Sequence, residues 1–379
     1  MMRRLLLSIL SLVVLCAVVE VVLRTTHLFH ARVAWTEPDR DIGWRFTPGR
    51  EYWFLGENDH AITGRINALG WRDRERTRAK PAGTFRIAVV GDSFVEAFQV
   101  EQDSTFVARA ERAFQRVHPP AFDRVEVMNF GRSGMSPAEE SIVLARDVFP
   151  CRPNAVLVLF TPQNDIADVS RSTAPDKCRP FPQARDGGDV VTMDKSFVRR
   201  RDFRMRERIN FLKLHSALVS LVVERYNAAR LARAQQGVRD APGWGPELSL
   251  CTEHPDSVFA KNYTLCKKLI EAMALACRER GILFELGSVP LVYQPDDVAR
   301  AKEADPSFNP GYFDEDLGAL AASGGFVYVP MTAAFALRSL RGEKLQWQHW
   351  NYQGHEAAFE ILLNPGSRPP AAPDSSVTR

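Results

Sequence analysis

Hydrophobic and polar residues follow one another along this chain in three regimes. From Leu5 to Leu23 the run is almost wholly apolar, broken only by Ser8, Ser11 and Glu20 and closed by Arg24. That length predicts a helix able to cross a bilayer, longer than the core of a usual signal peptide. Glu20 lies near the far end, where a carboxylate reaches the interface at modest cost. Met1-Met2-Arg3-Arg4 precedes the run, no small-x-small cleavage site follows it, and Leu15 before Cys16 makes a poor lipoprotein signal. The expectation is an uncleaved signal anchor over residues 1–24, a cleaved signal being the alternative. The basic end is then held in the cytoplasm and the rest of the chain faces the other side.

Residues 25–84 are rich in Arg, Trp, Gly and Pro and show no sustained periodicity. Asp41-Ile42-Gly43-Trp44 and Asn67-Ala68-Leu69-Gly70-Trp71 predict short strands and turns in an extension packed on the main domain. From residue 85 the pattern becomes regular. Five apolar runs, 86–90, Val125 to Phe130, Ala155 to Phe160, Leu283 to Leu286 and Phe326 to Val329, are separated by helical stretches such as Ser136 to Val148 and Val258 to Ala276. Strands alternating with helices predict βαβ units and a mainly parallel five-stranded sheet covered on both faces. The third and fourth runs are too far apart for one crossover, so residues 168–250 read as an insertion within a domain spanning 85–365. It starts as a proline-rich loop and continues as a helical segment from Phe203 to Ala234. Leaving the third strand at its carboxyl end, it could shape the mouth of a site. The tail, 366–379, is rich in Pro, Ser and Ala and reads as disordered.

Composition adds exclusions. The formal net charge of +3 over 379 residues is close to balanced and gives no reason to invoke nucleic acid. The arginines at 199, 200, 201, 204, 206 and 208 form a local cluster, read as a solvated helix face, with an acidic substrate or lipid headgroups as the alternative. Six cysteines show no CxxC spacing, so no zinc site is expected. Outside the cytoplasm disulfides are permitted, and Cys151–Cys178 and Cys251–Cys266 are the candidate pairs. Cys266 and Cys277, eleven apart, share one helix face and read as core packing.

Candidate chemistry sits after the apolar runs. Gly91-Asp92-Ser93-Phe94 follows the first run as a strand-to-helix turn, placing a serine at the carboxyl edge of the sheet, where open α/β folds keep their ligand crevice. A helix cap is the plainer reading. Asn129-Phe130-Gly131-Arg132-Ser133-Gly134 follows the second run, with glycines that let backbone approach a ligand. Thr161-Pro162-Gln163-Asn164-Asp165 follows the third, where Asn164 could donate its amide to an oxyanion or make an Asx turn. His349-Trp350-Asn351-Tyr352-Gln353-Gly354-His355 precedes the last helical run. Each alone is ordinary turn or cap chemistry; four in this order, each after a strand, point to one site.

On these segments the sequence resembles the SGNH (GDSL-type) hydrolase family, over roughly residues 85–365. Its surroundings, with IGW and LGW before the core, are similar to a membrane-anchored bacterial subgroup. The resemblance implies a flavodoxin-like three-layer α/β/α sandwich and ester hydrolysis or acyl transfer without cofactor or metal. It also implies a catalytic domain in the periplasm, tethered to the inner membrane. By position Ser93 matches the nucleophile and His349 the general base. The backbone N–H groups of Ser93 and Gly134 and the side chain of Asn164 match the oxyanion hole. Gly134 is preferred to Gly131 by its distance from the start of the block, and His355 reads as a packing residue.

The match departs from the family in one important respect. Relatives carry an aspartate two or three residues before the histidine, where this chain has Gln346 and Trp347. A backbone carbonyl, Gln348 or a distant carboxylate such as Glu343 could orient His349 instead. Gln163, where relatives have glycine, is a lesser departure. The leading expectation is a serine esterase. The alternatives are an O-acyltransferase modifying an envelope or secreted polysaccharide, with an acylation partner in the envelope, and a weakly catalytic glycan-binding or scaffolding relative.

Overall fold

The computed structural model describes residues 2–26, 34–117, 119–184, 191–236 and 245–364; the tail expected to be disordered lies outside them. Five parallel strands form the central sheet: β5 (Thr84–Gly91), β6 (Arg124–Gly131), β7 (Ala155–Phe160), β10 (Leu283–Ser288) and β11 (Val327–Val329). Their order is β11-β10-β7-β5-β6. All five apolar runs are strands, and the doubly wound order reverses between β5 and β7, the position where such sheets open a crevice. β5 is buried throughout. Phe85, Ile87 and Val89 face one apolar layer while Ala88 and Val90 face the other. This is why central strands read as unbroken apolar runs.

Helices α4 (Pro137–Val143), α8 (Ser257–Arg278) and α10 (Tyr312–Gly324) cover one face; α3 (Phe106–Phe114), α11 (Thr332–Leu340) and α12 (Tyr352–Leu362) cover the other. The result is the three-layer α/β/α sandwich. On α8, Cys266 and Cys277 are both buried among the apolar side chains facing the sheet. All six cysteines are free, which corrects both proposed disulfides. Two of the buried thiols have local acceptors: Cys151 donates to the Asp147 carbonyl at 3.3 Å and Cys266 to that of Asp165 at 3.6 Å.

Before the sandwich come two antiparallel pairs. β1 (Thr36–Asp39) pairs with β2 (Gly43–Phe46), and β3 (Glu51–Leu55) with β4 (Ala61–Arg65). Gly43 has φ +86°, and a Cβ there would stand 2.2 Å from the Cys178 carbonyl oxygen, which accounts for the glycine of Ile42-Gly43-Trp44. In the second motif Asn67 Oδ1 accepts from the Leu69 and Trp71 backbone N–H groups, closing the turn. The next residue, Arg72, is buried and reaches the core. It donates to the Tyr52 hydroxyl and to the carbonyls of Glu96, Ala97 and Val100, at 2.6–2.9 Å.

Helix α5 (Pro162–Asp168) leads into the insertion, which continues through the hairpin of β8 (Phe181–Ala184) and β9 (Val191–Asp194). The expected single helical segment is two helices, α6 (Arg201–His215) and α7 (Ala217–Gln236), broken at Ser216. The break has a tertiary cause. Glu20, in helix α1 (Met2–Thr26), accepts from the Ser216 hydroxyl and the Ala217 and Leu218 N–H groups at 2.8–2.9 Å, capping α7. α1 is the one described helix long and apolar enough to cross a membrane. The chain between α8 and α11 also carries α9 (Pro295–Ala304).

Candidate active site

The nucleophile candidate lies where β5 ends. Asp92 caps the four-residue helix α2 (Ser93–Glu96): its Oδ1 accepts from Phe94 N–H at 3.0 Å and from the Thr161 hydroxyl at 3.0 Å. Capping therefore falls to Asp92 and leaves the Ser93 hydroxyl free for another partner. Arg72 holds the far end of α2, where Ala97 adopts φ +59°. Short as it is, α2 is fixed at both ends.

Ser93 Oγ stands 2.8 Å from His349 Nε2. The histidine loop is built from the rest of its motif. Trp350 is 1% exposed and packs edge-on to Phe94 and Phe106. Asn351 caps α12 through Gly354 N–H at 3.0 Å and donates to the Lys344 carbonyl at 2.6 Å. A Cβ at Gly354 would lie 2.0 Å from the Leu345 carbonyl oxygen, so only glycine fits. His355 is buried, and its Nδ1 accepts from Phe106 N–H at 3.4 Å. Burial, with Arg72, Arg109 and His349 nearby, lowers its pKa to about 3, so it is neutral and packs the core, as expected.

The acid absent before His349 comes from the opposite end of the chain. Glu57 occupies the tip of the β3–β4 hairpin, in a turn closed by Gly56 N–H to the His60 carbonyl at 2.8 Å and containing Asp59 at φ +59°. Its Oε1 lies 2.5 Å from His349 Nδ1. Its Oε2 accepts from the backbone N–H groups of Gln348 and His349, each at 2.8 Å. Burial would raise this carboxyl, but those bonds from the His349 side chain and backbone and from Gln348 outweigh it and hold the pKa below the ordinary value. None of the orienting candidates considered from sequence takes the place: Glu343 pairs with Arg338 at 2.7 Å, and Gln348 contributes only its backbone N–H. Sequence reasoning missed Glu57. The signal present was a turn, Gly56-Glu57-Asn58-Asp59, between two strand-length segments; nothing local ties it to His349. A second contact holds the hairpin tip: Glu101 sits 3.3 Å from His60 Nε2 and accepts from the Tyr352 hydroxyl at 2.5 Å.

The expected oxyanion donors surround the same strand ends. Asn164 donates one amide hydrogen to Asp92 Oδ2 at 2.9 Å, which leaves its second hydrogen available. Among the described residues neither Ser93 N–H nor Gly134 N–H has a hydrogen-bond acceptor. The two glycines of the block differ in kind. A Cβ on Gly131 would strike Glu96 N at 2.2 Å, so Gly131 permits close packing of β6 on α2. Gly134 has φ +69° and open space where a Cβ would be. A crevice of about 150 Å³ beside it is lined by Trp44, Arg132, Ser133, Asp176 and Arg179, so the start of the insertion reaches Gly134. Beneath it Glu96 accepts from Ser133 N–H at 2.8 Å and from the Ser133 hydroxyl, while burial pushes its carboxyl up to about 8.

A serine, an imidazole and a carboxylate in line, at the switch point of a doubly wound sheet, define a class: an α/β/α protein with a serine-histidine-glutamate arrangement. No family model matches the chain, and no curated protein does. Among solved structures it is similar to LAE5, an alpha/beta hydrolase enzyme from the metagenome of Lake Arreo, Spain, with 14% identity and a TM-score of 0.39 over 76% of this chain and 96% of that one. It is also similar to Axe2, an acetylxylan esterase from Geobacillus stearothermophilus, with 14% identity and a TM-score of 0.39 over 74% and 92% of the two chains.

Proposed function

We propose that the protein is a serine esterase of the SGNH type, acting on carboxylic esters through a Ser93 acyl-enzyme. The observation that carries this is the continuous relay from Ser93 Oγ to His349 Nε2 at 2.8 Å and from His349 Nδ1 to Glu57 Oε1 at 2.5 Å. With Glu57 ionised, Nδ1 keeps its proton and Nε2 is the acceptor that Ser93 needs. Ser93 Oγ attacks the ester carbonyl while its proton passes to Nε2. The oxyanion gathers the N–H groups of Ser93 and Gly134 and the free amide hydrogen of Asn164. Nε2–H then protonates the departing alcohol. A water loses a proton to Nε2 as it attacks the acyl carbonyl, and Nε2–H returns that proton to Ser93 Oγ as the acyl–Oγ bond breaks and the acid leaves. Each oxyanion donor is worth roughly 2.7–4 kcal/mol of barrier.

The reading as a weak or inactive relative was motivated by the missing aspartate, and Glu57 removes that motivation. Transfer to a sugar hydroxyl uses the same acyl-enzyme, so the partition of a labelled acyl group between water and glycan measures it. We place the catalytic domain outside the cytoplasm, anchored by α1. Its amino end carries Arg3 and Arg4, and its Glu20 caps a helix of the folded domain, a contact that cleavage would remove. The test is fluorophosphonate labelling and p-nitrophenyl acetate hydrolysis by the full chain in detergent. Both are expected in the wild type and lost in Ser93→Ala. A wild type that neither labels nor hydrolyses overturns the proposal.

A further inference from the structure

The α6–α7 hairpin carries exposed apolar side chains that the core does not use, and it is fastened to the end of α1. On α6 the residues Arg201, Arg204, Met205, Arg208, Phe211 and Leu212 recur at three- and four-residue intervals and are all exposed, so they form one stripe. The stripe is basic where α6 starts and apolar where it ends. Phe211 is 66% and Leu212 51% exposed; on α7, Val222 is 59% and Tyr226 67% exposed.

The apolar end is the end that meets α1. The Arg24 guanidinium donates to the His215 carbonyl, Glu20 caps α7 at Ala217 and Leu218, and Leu23 packs with Ala217. Phe211 and Leu212 therefore lie within about one helical turn of a contact with the last turns of α1. The hairpin is also fixed to the body: Ala34 N–H donates to the Lys213 carbonyl at 3.1 Å, Arg50 to that of Leu214 at 3.0 Å, and Arg40 pairs with Glu207 at 2.8 Å. Among the described residues no carboxylate pairs with Arg201, Arg204 or Arg208.

We infer that the α6–α7 hairpin is an interfacial element that rests on the outer leaflet of the bilayer entered by α1. Phe211, Leu212, Val222 and Tyr226 enter the headgroup region, and Arg204 and Arg208 contact anionic lipid. This rests on the reading of α1 as a bilayer anchor. An apolar patch with basic residues beside it, held at the point where an apolar helix leaves the membrane, matches the chemistry of interfacial helices. The contact would fix the height and tilt of the catalytic domain over the membrane, beyond what α1 alone can do.

The test uses the full chain, one copy per nanodisc of phosphatidylethanolamine and phosphatidylglycerol. In a Cys16→Ser background, Phe211→Cys, Val222→Cys or Val117→Cys carries an environment-sensitive fluorophore, and a fourth protein is labelled at native Cys16. The other five cysteines are buried and stay unlabelled. Expected are blue-shifted emission and quenching by headgroup-proximal brominated lipids at 211 and 222, and deep quenching at 16. Water-like emission is expected at 117, a site 61% exposed on the core domain. Charge-reversing Arg204→Glu with Arg208→Glu should reduce the shift at 211. Labels at 211 and 222 that behave like 117, while 16 is quenched deeply, overturn the inference and leave the anchor standing. A shift seen only in discs holding two copies overturns it in favour of a contact between copies. A water-like label at 16 overturns the anchor reading and this one with it.

Discussion

Glu57 and His349 are separated by 292 positions in sequence, yet Glu57 makes three hydrogen bonds to the His349 loop: to the Nδ1 atom, to the His349 N–H and to the Gln348 N–H. The same carboxylate therefore holds both the Nδ1 edge of the His349 ring and the position of its backbone. In the family that the sequence resembles, the acid lies two or three residues before the histidine. Here the loop is completed by a hairpin that precedes the sandwich, so docking of the extension and assembly of the site are one event.

Replacing Glu57 by glutamine should separate these two roles. The amide can still accept from the backbone N–H groups, but to meet Nδ1 it must donate, which drives the proton to Nε2 and removes the acceptor Ser93 needs. The expected loss in kcat is on the order of 10³–10⁴-fold with KM little changed, comparable to losing the acid in other triads. Adding His349→Ala to Glu57→Gln should cost little more than His349→Ala alone. Steady-state kinetics on the three proteins decide it, and a kcat near wild type in Glu57→Gln would remove Glu57 from the relay.

Arg72 binds the extension to the end of α2 through three carbonyls and the Tyr52 hydroxyl. Arg72→Met keeps most of the apolar stem and deletes the donors. The Glu96 and Val100 carbonyls would be left without partners while that of Ala97 keeps the Val100 N–H, and at about 1–3 kcal/mol each a loss of roughly 2 kcal/mol or more is expected. Because the same bonds position α2, fluorophosphonate labelling should slow even at temperatures where the variant stays folded. Thermal unfolding together with labelling rates checks both halves.

Gly131, which ends β6, and Gly134, three residues on, should respond in opposite ways to alanine. At Gly131 the new Cβ meets backbone atoms of Val95 and Glu96 at 2.2–2.5 Å, and backbone cannot rotate away, so Gly131→Ala should fail to fold or unfold at low temperature. At Gly134 the Cβ meets nothing, and only the left-handed φ is penalised, by about 1–2 kcal/mol. Gly134→Ala should remain folded and lose activity as its N–H shifts. Circular-dichroism melts and p-nitrophenyl acetate rates compare the pair.

The sandwich was legible because its strands are largely buried, so β5 and β7 appear as mostly apolar runs whatever the loops do, and β6 at the edge keeps Val125, Val127, Met128 and Phe130 despite Glu126 and Asn129. The His349 loop was legible for a similar reason: Trp350, Asn351, Gly354 and His355 each satisfy a local demand for packing, capping or close approach. Glu57 was not, because its partner is chosen by the docking of a hairpin, and no spacing encodes a contact across 292 positions. The break at Ser216 was hidden likewise, since the carboxylate capping α7 belongs to α1. The cysteines suggested bridges because an oxidising compartment permits them, whereas Cys16 is exposed on α1 and the other five are buried as free thiols.

Acid should weaken the protein through His355 before it titrates Glu57. His355 is neutral in the fold, with its pKa lowered from 6.5 to about 3, so below about 6.5 the unfolded chain binds a proton that the folded one does not. Stability contributed by this group is complete above 6.5 and is lost progressively as pH falls toward 3. Glu57, whose pKa is also lowered, acts in the same direction but only below the ordinary value of 4.5. Buried acids with raised pKa, Glu96 among them, act oppositely: their stabilisation is present at low pH and fades as pH rises through about 8. The net curve therefore mixes signs, and a difference between variants isolates each group. His355→Gln should be less stable than wild type at pH 7.5, with the gap narrowing steadily between pH 6.5 and 4. Thermal midpoints of both proteins over that range measure the gap, and a gap independent of pH would mean that His355 is not held neutral.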